Sequence, residues 1–527
     1  MQILFSVRNP SYIRHYESVI RLLIARGHRV RLAVERSKKE VWPSWVYALA
    51  AEYSQLDIAS SPSLNENRWF ELSTRLRQGR FYLRFLDPTY RGMSALLARA
   101  RSRAPRVVIV LAETFGMGRF RLGRRLLARV LDMLDRTTRT PELFVDYLKE
   151  MRPDVLVLTP LVVLRTSQLD LARAAIALGI RNVFAVASWD NLSSKGELTF
   201  SPQRVFVWNE VQRREVAEFH GISPDRVVVT GAQVFDEWFE KQPSTTREAF
   251  CQRVGLRPDR PFVLYVCSAL LEGSPPEPLF VEQWARHLRN SGHPVLRECG
   301  ILVRPHFKRG DEWRNVNFQG LDNIVCWPPV GAVPADAGSK TDYFDSLAHA
   351  SAVIGLNTSA MIEAAILGRP VFTVLLPEFR DSQEGTVHFH YLLHGPDALL
   401  HWTRSLDDHA RELAGVLDAG HARVERSTRF VRAFVRPDPG ATATMRFVEA
   451  LETLAAQPAP APQPEPRWTQ LLRPLLRPFA DAAVERVQRL KVERRERKDR
   501  ELAEHRRERR RARLAEKKAK KAAASQA

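Results

Sequence analysis

Short apolar runs alternate with amphipathic stretches along most of this chain, as they do in α/β proteins. Residues 2–7 (QILFSV) are almost entirely apolar, and apolar positions recur at helical spacing over residues 13–26. Two groups of such apolar runs predict two sets of parallel strands. The first group is residues 2–7, 29–34, 154–159, 182–187, 204–208 and 226–230; the second is residues 262–267, 300–304, 323–326, 352–355 and 370–374.

At 527 residues the chain is longer than one hydrophobic core usually serves, so we expect two domains with additional segments. The first predicted domain covers residues 1–242 and the second covers residues 243–456, with its last helix crossing back to the first domain. Arg-rich helical sequence over about residues 60–145 is interpreted as an insertion in the first domain. A Pro-rich linker (457–466) and a basic tail (467–527) follow.

Composition points to a soluble globular protein. Apolar residues make up 45% of the chain, and no apolar run approaches the 18 residues or so of a membrane span. The N-terminus has no basic region or cleavage site, so we expect no signal peptide. The four cysteines are scattered without metal-ligand spacing, which favours a reducing, cytoplasmic compartment.

The stretch of residues 351–374 (SAVIGLNTSAMIEAAILGRPVFTV) reads as strand, turn, helix and strand. Thr358 and Ser359 are suitable capping residues for a helix over residues 358–367. Free N–H groups of such a first turn, at the carboxyl end of a parallel strand, can hold a phosphate. Glu363 lies one helical turn further on, where its carboxylate could bind ribose hydroxyls. An ordinary βαβ unit is the alternative interpretation.

The run N-T-S-x3-E-x4-G-R-P-V, which begins at Asn357, resembles the donor-binding segment of GT-B glycosyltransferases. The resemblance implies two Rossmann-like, doubly wound domains that face a cleft. It also implies that Asn357, Thr358 and Ser359 contact the donor and that Glu363 holds the nucleotide ribose. The His-Cys-Gly that precedes this asparagine in the plant-type version is absent here, so the resemblance does not identify the nucleotide or the sugar.

The opening β-α-β pattern, which ends in A-R-G-H-R-V, resembles the N-terminal acceptor domain of the same family. The resemblance implies a catalytic base in the loop after the first strand. His15 is our candidate, because an imidazole can accept a hydroxyl proton near neutral pH. The family's histidine usually lies about one helical turn earlier, where this chain has Tyr12. A polar residue on an exposed helix face is the alternative interpretation of His15.

Residues 188–196 (SWDNLSSKG) directly follow a predicted strand. Polar side chains at that edge of a parallel sheet line the ligand crevice. We therefore predict Asp190 as a second catalytic candidate, and Trp189, Asn191 and Lys195 as acceptor or cleft contacts.

Residues 207–236 resemble the interdomain passage of polysaccharide-type GT-B transferases and of polyol-phosphate transferases. Arg304-Pro305-His306 is similar to an element of glycerophosphate-polymer transferases that contacts the donor phosphates. This similarity makes Arg304 and His306 donor-binding candidates. The alternative interpretation of Arg304 is a surface arginine paired with a carboxylate. The loop after residue 374 adds three more donor-binding candidates, Gln383, Thr386 and His388.

Charge is concentrated in two segments. Residues 68–139 and residues 467–527 each carry a net +12, while the whole chain carries +20, so the rest of the chain carries −4. Aromatic residues alternate with arginines in the first segment, which suits a lipid surface, nucleic acid or a helical layer on the sheet. The tail begins with apolar residues at helical spacing, but Pro474 and Pro478 argue against one smooth helix. Beyond residue 485 we expect either a solvated helix or disorder.

These observations predict a glycosyltransferase that moves a sugar from a nucleotide sugar to a surface polysaccharide or lipid-linked acceptor in cell-envelope synthesis. We expect it to be bound peripherally to the inner face of the cell membrane through the basic tail and insertion. Nucleic acid is the second choice for these charges, because no RNA-reading motif accompanies them. No Asp-x-Asp motif follows a predicted strand, so we expect no metal and no cofactor.

Three alternatives remain open. The first is transfer of a polyol phosphate from a CDP-activated donor, as in CDP-glycerol glycerophosphotransferase-like enzymes. The second is a non-hydrolysing UDP-sugar epimerase, which shares the fold, although its early G-T-R-P-E type motif has no match here. The third is a non-catalytic scaffold of GT-B shape.

Overall fold

The computed structural model describes residues 1–35, 42–62, 67–332, 336–418 and 425–524. Its strands form two sheets, and every pair of neighbouring strands is parallel. The first sheet contains β1 (Gln2–Val7), β2 (Arg29–Glu35), β3 (Leu56–Ser61), β4 (Val155–Thr159), β5 (Arg181–Ala185), β6 (Arg204–Val207) and β7 (Val227–Val229). The second contains β8 (Phe262–Val266), β9 (Gly300–Arg304), β10 (Ile324–Cys326), β11 (Ala352–Gly355), β12 (Val371–Val374) and β13 (His401–Thr403).

Both sheets are doubly wound. The first has the order β3-β2-β1-β4-β5-β6-β7, and the second has the order β10-β9-β8-β11-β12-β13. The chain therefore reverses its direction of growth between β1 and β4 in the first sheet and between β8 and β11 in the second. Crevices that bind ligands form at such switch points, outside the carboxyl ends of the strands.

Helices connect the strands and cover both faces of each sheet. The first-domain helices are α1 (Glu17–Ala25), α2 (Ser44–Glu52), α3 (Arg68–Phe85), α4 (Ser94–Arg103), α5 (Arg106–Ile109), α6 (Arg121–Thr137), α7 (Glu142–Met151), α8 (Gln168–Leu178), α9 (Asn191–Ser194) and α10 (Glu210–His220). They are followed by α11 (Asp236–Glu240), α12 (Arg247–Val254), α13 (Glu277–Asn290), α14 (Pro294–Glu298), α15 (Ala337–Ala348), α16 (Ala360–Ile366), α17 (Val387–Leu393), α18 (Leu406–Asp418), α19 (Glu425–Phe434), α20 (Ala443–Ala456) and α21 (Arg467–Ala524).

The central strands are buried on both faces because they lie between two layers of helices. All five residues of β4 and all five of β8 are buried, which explains why both strands appear in the sequence as continuous apolar runs. The predicted fold class, two Rossmann-like doubly wound domains of GT-B type, is therefore confirmed.

Helix α20 packs on the first domain although it follows the second in the chain. Phe447 and Val448 are buried in a cluster with residues of β1 and α1, and the Phe447 ring lies 5.8 Å from that of Tyr16. The chain also passes between the domains at Gly231, where φ is +85° and a Cβ would lie 2.8 Å from the side chain of Ala443. A residue other than glycine would be strained there.

The structure differs from the prediction mainly at the edge strands of the two sheets and at the first turns of helices. Strands β3 and β13 were not predicted, because both are edge strands with mixed polar and apolar residues. The helix predicted over residues 13–26 begins as a 3-10 turn (Pro10–Tyr16) and becomes α-helical only at Glu17. A proline that opens the segment suits this tight first turn.

Helices α3 to α6 lie within the predicted insertion, of which residues 63–66 lie outside the described part of the chain. Buried ion pairs attach it to the first domain. Arg77 of α3 lies 3.2 Å from Asp135 of α6 and 3.8 Å from Asp170 of α8. Arg173 of α8 reaches Asp135 at 2.9 Å. Part of the arginine excess in this segment is therefore structural.

The segment after α20 does not act as a free spacer over its described length. The Gln463 N–H donates to the Ile176 carbonyl at 3.1 Å, and the Glu465 carboxylate accepts from the Thr140 N–H at 2.6 Å. Residues 457–466 therefore form a strap on the first domain.

The expectation that two prolines interrupt the tail is wrong, because α21 runs continuously through Pro474 and Pro478. Its first turns pack on α3 and α6. Thr469 and Ala480 are fully buried, and the Arg473 guanidinium donates to the Thr137 carbonyl at 2.9 Å. Packing of this kind can hold a helix that local propensity disfavours.

Candidate functional site

A cleft of about 770 Å³ lies between the carboxyl ends of the two sheets. Residues of both domains line it, including most of the candidates identified in the sequence. The candidates on its wall are His15, Trp189, Asp190, Lys195, Arg304, His306, Asn357, Thr358, Ser359, Glu363, Thr386 and His388. Asn191 and Gln383 are the two candidates that do not line it.

The loop between β11 and α16 forms the predicted donor side. Its geometry is fixed from behind, because the Asn357 N–H donates to Ser268 Oγ at 3.0 Å and the Asn357 side chain donates to the Ser382 carbonyl. The helix is shorter than predicted and begins at Ala360, and neither Thr358 nor Ser359 caps it with a strong side-chain bond. Among the described residues, the N–H groups of Thr358 and Ser359 have no acceptor.

Glu363 lies one turn into α16 with its carboxyl in the cleft. Burial raises the pKa of Glu363 to about 7, although a hydrogen bond from Tyr343 and the Arg14 cation act in the opposite direction. The Tyr343 hydroxyl donates to Oε2. Oε1 has no partner among the described residues and remains available for a ligand hydroxyl.

Arg304 is buried in the wall of the cleft and already has protein partners. Its Nη1 donates to Asp342 at 2.9 Å and to Ser346 Oγ at 3.2 Å, and its guanidinium lies over the Tyr343 ring. Contact with a donor phosphate stays a prediction for this residue. His306 lies beside it, and burial lowers the pKa of His306 to about 4, so its ring is neutral at physiological pH.

The loop before α17 contributes unequally to the cleft. Gln383 is buried, and its Nε2 donates to the Leu356 carbonyl at 3.2 Å and to the Val374 carbonyl at 3.0 Å. Its side chain therefore holds the backbone in place, and a direct donor contact stays a prediction. Thr386 does line the cleft, with its hydroxyl donating to the Gln383 carbonyl at 2.9 Å.

On the opposite wall, His15 ends the 3-10 turn after β1. Burial lowers the pKa of His15 to about 3, and the neighbouring Arg14 cation acts in the same direction. Its Nδ1 is buried and has no hydrogen-bond partner among the described residues. The other ring nitrogen, Nε2, accepts from Arg14 Nε at 3.4 Å. The imidazole is therefore neutral, although it is a weaker base than a free histidine.

Asp190 lies opposite the donor loop in an ion pair. Its carboxylate is 2.9 Å from Lys195 Nζ and accepts from Ser188 Oγ at 2.6 Å. Burial opposes its ionisation, but the Lys195 cation, His388 and the hydrogen bonds from Ser188 and Lys195 together outweigh that effect, and the pKa of Asp190 lies well below its usual range. Asn191 instead accepts from the Ala187 N–H at 3.0 Å, so it shapes the loop, and an acceptor contact stays a prediction.

Two ring systems close this end of the cleft. The Trp189 and His388 rings meet edge to face with centroids 4.5 Å apart, and His388 Nδ1 is 3.1 Å from Ser194 Oγ. Burial lowers the pKa of His388 to about 4. The contact joins the first-domain loop to α17 of the second domain, so His388 fixes the two walls relative to each other.

The sequence did not indicate that the insertion reaches this loop. Arg84 of α3 donates to the Leu192 and Ser193 carbonyls at 2.5 and 3.1 Å. Arg99 of α4 donates to the Ser194 carbonyl at 2.7 Å and lines the cleft itself. Both arginines therefore hold the segment next to Asp190, which lies about 100 residues further along the chain. The sequence of an arginine-rich helix does not indicate such a distant partner.

Positive charge predominates on the cleft wall. Eight lysines and arginines line it, against four carboxylates. The described residues contain no cluster of three or more His, Cys, Asp or Glu side chains that could hold a metal ion. A strongly anionic ligand is therefore the best electrostatic match to this wall.

No family model matches the chain, and no curated protein matches it in sequence. Solved structures resemble it in fold. A UDP-GlcNAc 2-epimerase from Neisseria meningitidis bound to UDP-GlcNAc is 11% identical, with a TM-score of 0.46 over 86% of this chain and 100% of that one. A glycosyltransferase from Rickettsia africae is 11% identical, with a TM-score of 0.48 over 87% of this chain and 99% of that one.

The wall teichoic acid polymerase TagF is 10% identical, with a TM-score of 0.41 over 86% of this chain and 89% of that one. At such low identity and TM-score these likenesses do not bear on activity. The assignment of the fold rests on the strand order of the two sheets. The chain has the GT-B fold.

Proposed function

We propose that the protein is a glycosyltransferase that moves a sugar from a nucleotide sugar to a surface-polysaccharide or lipid-linked acceptor. The observation that carries the proposal is the composition of the cleft. Beyond the end of β11, a carboxylate and backbone N–H groups that have no acceptor among the described residues face a histidine and an aspartate beyond the ends of β1 and β5. Donor and acceptor would each occupy the switch point of one sheet.

On the donor side, Glu363 would accept the ribose hydroxyls through Oε1. The diphosphate would lie against the N–H groups of Thr358 and Ser359, near the cationic side chains of the cleft wall. These positive groups stabilise the nucleoside diphosphate as it leaves, because negative charge accumulates on it while the bond to the sugar breaks. This scheme requires no resident metal or cofactor.

On the acceptor side, the hydroxyl of the acceptor would attack the anomeric carbon of the donor sugar. A bond forms between that oxygen and the carbon, the carbon–phosphate oxygen bond breaks, and the hydroxyl proton passes to a base. His15 is the proposed base, because its neutral ring has a buried nitrogen with no partner among the described residues. Asp190 is the second candidate, although its ion pair with Lys195 makes it the weaker base.

The excess of cations in the cleft also favours a second candidate, transfer of a polyol phosphate from a CDP-activated donor. In that reaction the phosphate itself moves to the acceptor, so more negative charge must be bound near the reacting atoms. An epimerase of the same fold would bind UDP and the sugar but would need no acceptor.

The proposal includes the site of action, which is the inner face of the cell membrane, reached through the basic insertion and tail. No described helix is long and apolar enough to cross a membrane. Peripheral binding would bring the cleft close to a lipid-linked acceptor.

A thermal-shift comparison with UDP, GDP, CDP and CMP tests the donor assignment. A ligand that binds only the folded protein raises the melting temperature by mass action. We expect one diphosphate to stabilise the protein strongly and Glu363→Ala to reduce the shift markedly. A preference for CDP and CMP would favour polyol-phosphate transfer, whereas no shift with any nucleotide would contradict the proposal.

Reaction products then separate the remaining alternatives. The protein would be incubated with the nucleotide sugar whose base it prefers, with and without a membrane extract as acceptor, and the products followed by mass spectrometry and NMR. Transfer predicts a free nucleoside diphosphate that depends on the extract. An acceptor-independent change of the sugar at constant mass would identify an epimerase.

A further inference from the structure

Helix α6 of the insertion carries an exposed apolar stripe. Leu122, Leu126, Val130 and Met133 are 79, 53, 40 and 43% exposed. They are spaced by three or four residues, so they lie on one side of the helix over about three turns. A row of exposed aliphatic side chains of this length indicates a surface that is covered in use.

The segment that precedes α6 extends the apolar surface with two aromatic rings. Phe115 and Phe120 are 71 and 69% exposed. Phe120 is the residue that immediately precedes α6, and it is followed within two positions by Leu122. The exposed rings and the stripe on α6 are therefore neighbours along the chain, and we call them together the α6 face.

Arginines accompany the α6 face, and most of them form no ion pair with any described residue. Six exposed arginines between residues 106 and 136 take part in no ion pair with any described residue: Arg106, Arg119, Arg121, Arg125, Arg129 and Arg136. The three carboxylates of the same segment are already paired, Glu113 with Arg101, Asp132 with Arg80, and Asp135 with Arg77 and Arg173. The segment therefore presents positive charge that the protein leaves uncompensated.

Helical geometry places the two kinds of side chain next to each other. At about 100° per residue, the apolar stripe covers an arc of about 80° on α6, and Arg121, Arg125, Arg129 and Arg136 occupy the adjacent arc of similar width. The buried residues Leu127, Leu131 and Asp135 lie on the opposite side. The outer half of α6 is thus divided into an apolar strip and a cationic strip, as in helices that lie in a membrane interface.

We propose that the α6 face is the surface by which this protein binds an anionic lipid bilayer, with the apolar stripe in the acyl boundary and the arginines on the headgroup phosphates. Nucleic acid would use the arginines but would gain little from exposed leucines and valine. A protein partner or a second copy would have to supply carboxylates for six arginines as well as an apolar surface.

This inference rests on the membrane part of the proposed function and assigns it to particular residues. The first turns of the tail pack on the insertion, where Thr469 and Ala480 are buried. Removing the residues after 457 would therefore also expose the surface of the insertion that these residues cover. Substitutions on α6 avoid this difficulty because they change exposed side chains. The same insertion contributes Leu96 and Arg99 to the cleft, which would place an acceptor held by lipid within reach of the site.

The test is flotation of the full-length protein with vesicles of phosphatidylcholine alone or mixed with phosphatidylglycerol. We expect strong flotation with the anionic vesicles only. Leu122→Gln/Leu126→Gln should reduce partitioning by roughly 10-fold or more, since two exposed side chains lose their apolar contact with lipid. Arg125→Gln/Arg129→Gln should reduce it by roughly 10- to 30-fold on anionic vesicles.

Matched controls distinguish the loss of this surface from the loss of an exposed leucine or arginine elsewhere on the protein. Leu279 of α13 is 65% exposed, and Arg297 and Arg432 are exposed and form no ion pair with described residues. The variants Leu279→Gln and Arg297→Gln/Arg432→Gln should therefore float as the native protein does. Flotation of the α6 variants at the native level would overturn the inference, as would equal flotation with neutral vesicles.

Two further readouts identify the other possible occupants. Loss of duplex-DNA binding in the α6 variants with flotation unchanged would assign the surface to nucleic acid and overturn the inference. A dimer in light scattering that these variants dissociate would assign it to a second copy. The nucleotide-induced thermal shift should be the same in all α6 variants, so failure of the donor proposal would be seen independently of the membrane result.

Discussion

Replacement of Glu363 is the most direct test of the cleft. Its Oε2 accepts from Tyr343, and Oε1 is left for a ligand hydroxyl. Removing a charged hydrogen-bond acceptor from a partly buried site costs about 1–3 kcal/mol of binding free energy. Glu363→Ala should therefore raise the Kd of the preferred nucleotide roughly 5- to 150-fold in isothermal titration calorimetry. An unchanged Kd would remove this residue from the donor site.

The pH dependence of the same affinity gives a sharper criterion. Burial raises the pKa of Glu363 to about 7, and ribose hydroxyls donate to the ionised form. Affinity should therefore rise with pH through this range, being roughly tenfold weaker one pH unit below the pKa than one unit above it. Glu363→Gln should bind weakly and lose this pH dependence. The control is Glu237→Gln, which removes an exposed carboxylate from the same cleft and should leave both Kd and its pH profile nearly unchanged.

Three other predictions concern the base, a buried acid and the strap. His15→Ala should lower turnover by roughly 10²–10⁴ while nucleotide affinity stays native; near-normal turnover would rule out His15 as the base. Burial raises the pKa of Glu215 to about 8, so its contribution to stability is complete below about pH 4.5 and is lost as the pH rises through about 8. Glu215→Gln should accordingly flatten the fall of the unfolding free energy between about pH 5 and pH 8, measured in urea, and an unchanged slope would contradict this assignment. Gly179→Ala should lower Tm more than Gly221→Ala, because both residues have positive φ but only at Gly179 would a Cβ lie 2.5 Å from the Pro460 carbonyl oxygen; equal losses would mean that the strap does not press on this turn.

The periodicity of the sequence determined the architecture. Buried central strands of a parallel sheet are contacted by helices on both faces, so they must be apolar throughout, and such runs can be read without knowing the partners. Strand β9 has the bounds that the sequence predicted. Edge strands such as β3 escaped prediction because one side of an edge strand faces solvent and its pattern is mixed.

The order of elements also determined which loops meet. Residues that follow parallel strands lie at the same edge of a sheet, so His15 and Asp190 could be assigned to one edge from their positions after strands. Glu363 follows a strand of the other sheet, and only the resemblance to GT-B enzymes placed it opposite them. The structure brings all three to the cleft wall. Their chemical roles remain predictions.

Only the tertiary structure decided how each side chain is used. Asn191 and Gln383 are polar residues in loops at the cleft, yet their amides bind backbone groups behind it. The sequence cannot distinguish these from cleft-facing neighbours, because the direction of a loop side chain depends on which buried backbone groups need partners. The pKa of Glu363 is likewise set by burial and by Tyr343, which lies on another helix.

The insertion and the tail show the same division between local and distant information. The sequence identified both as basic helical segments, since charge and periodicity are local properties. It did not indicate that Arg84 and Arg99 hold the Asp190 loop, or that the first turns of α21 pack on α3. A surplus of arginine is compatible with a solvated face, a buried ion pair or a lipid contact, and only the distances to carboxylates and carbonyls elsewhere in the chain separate these uses.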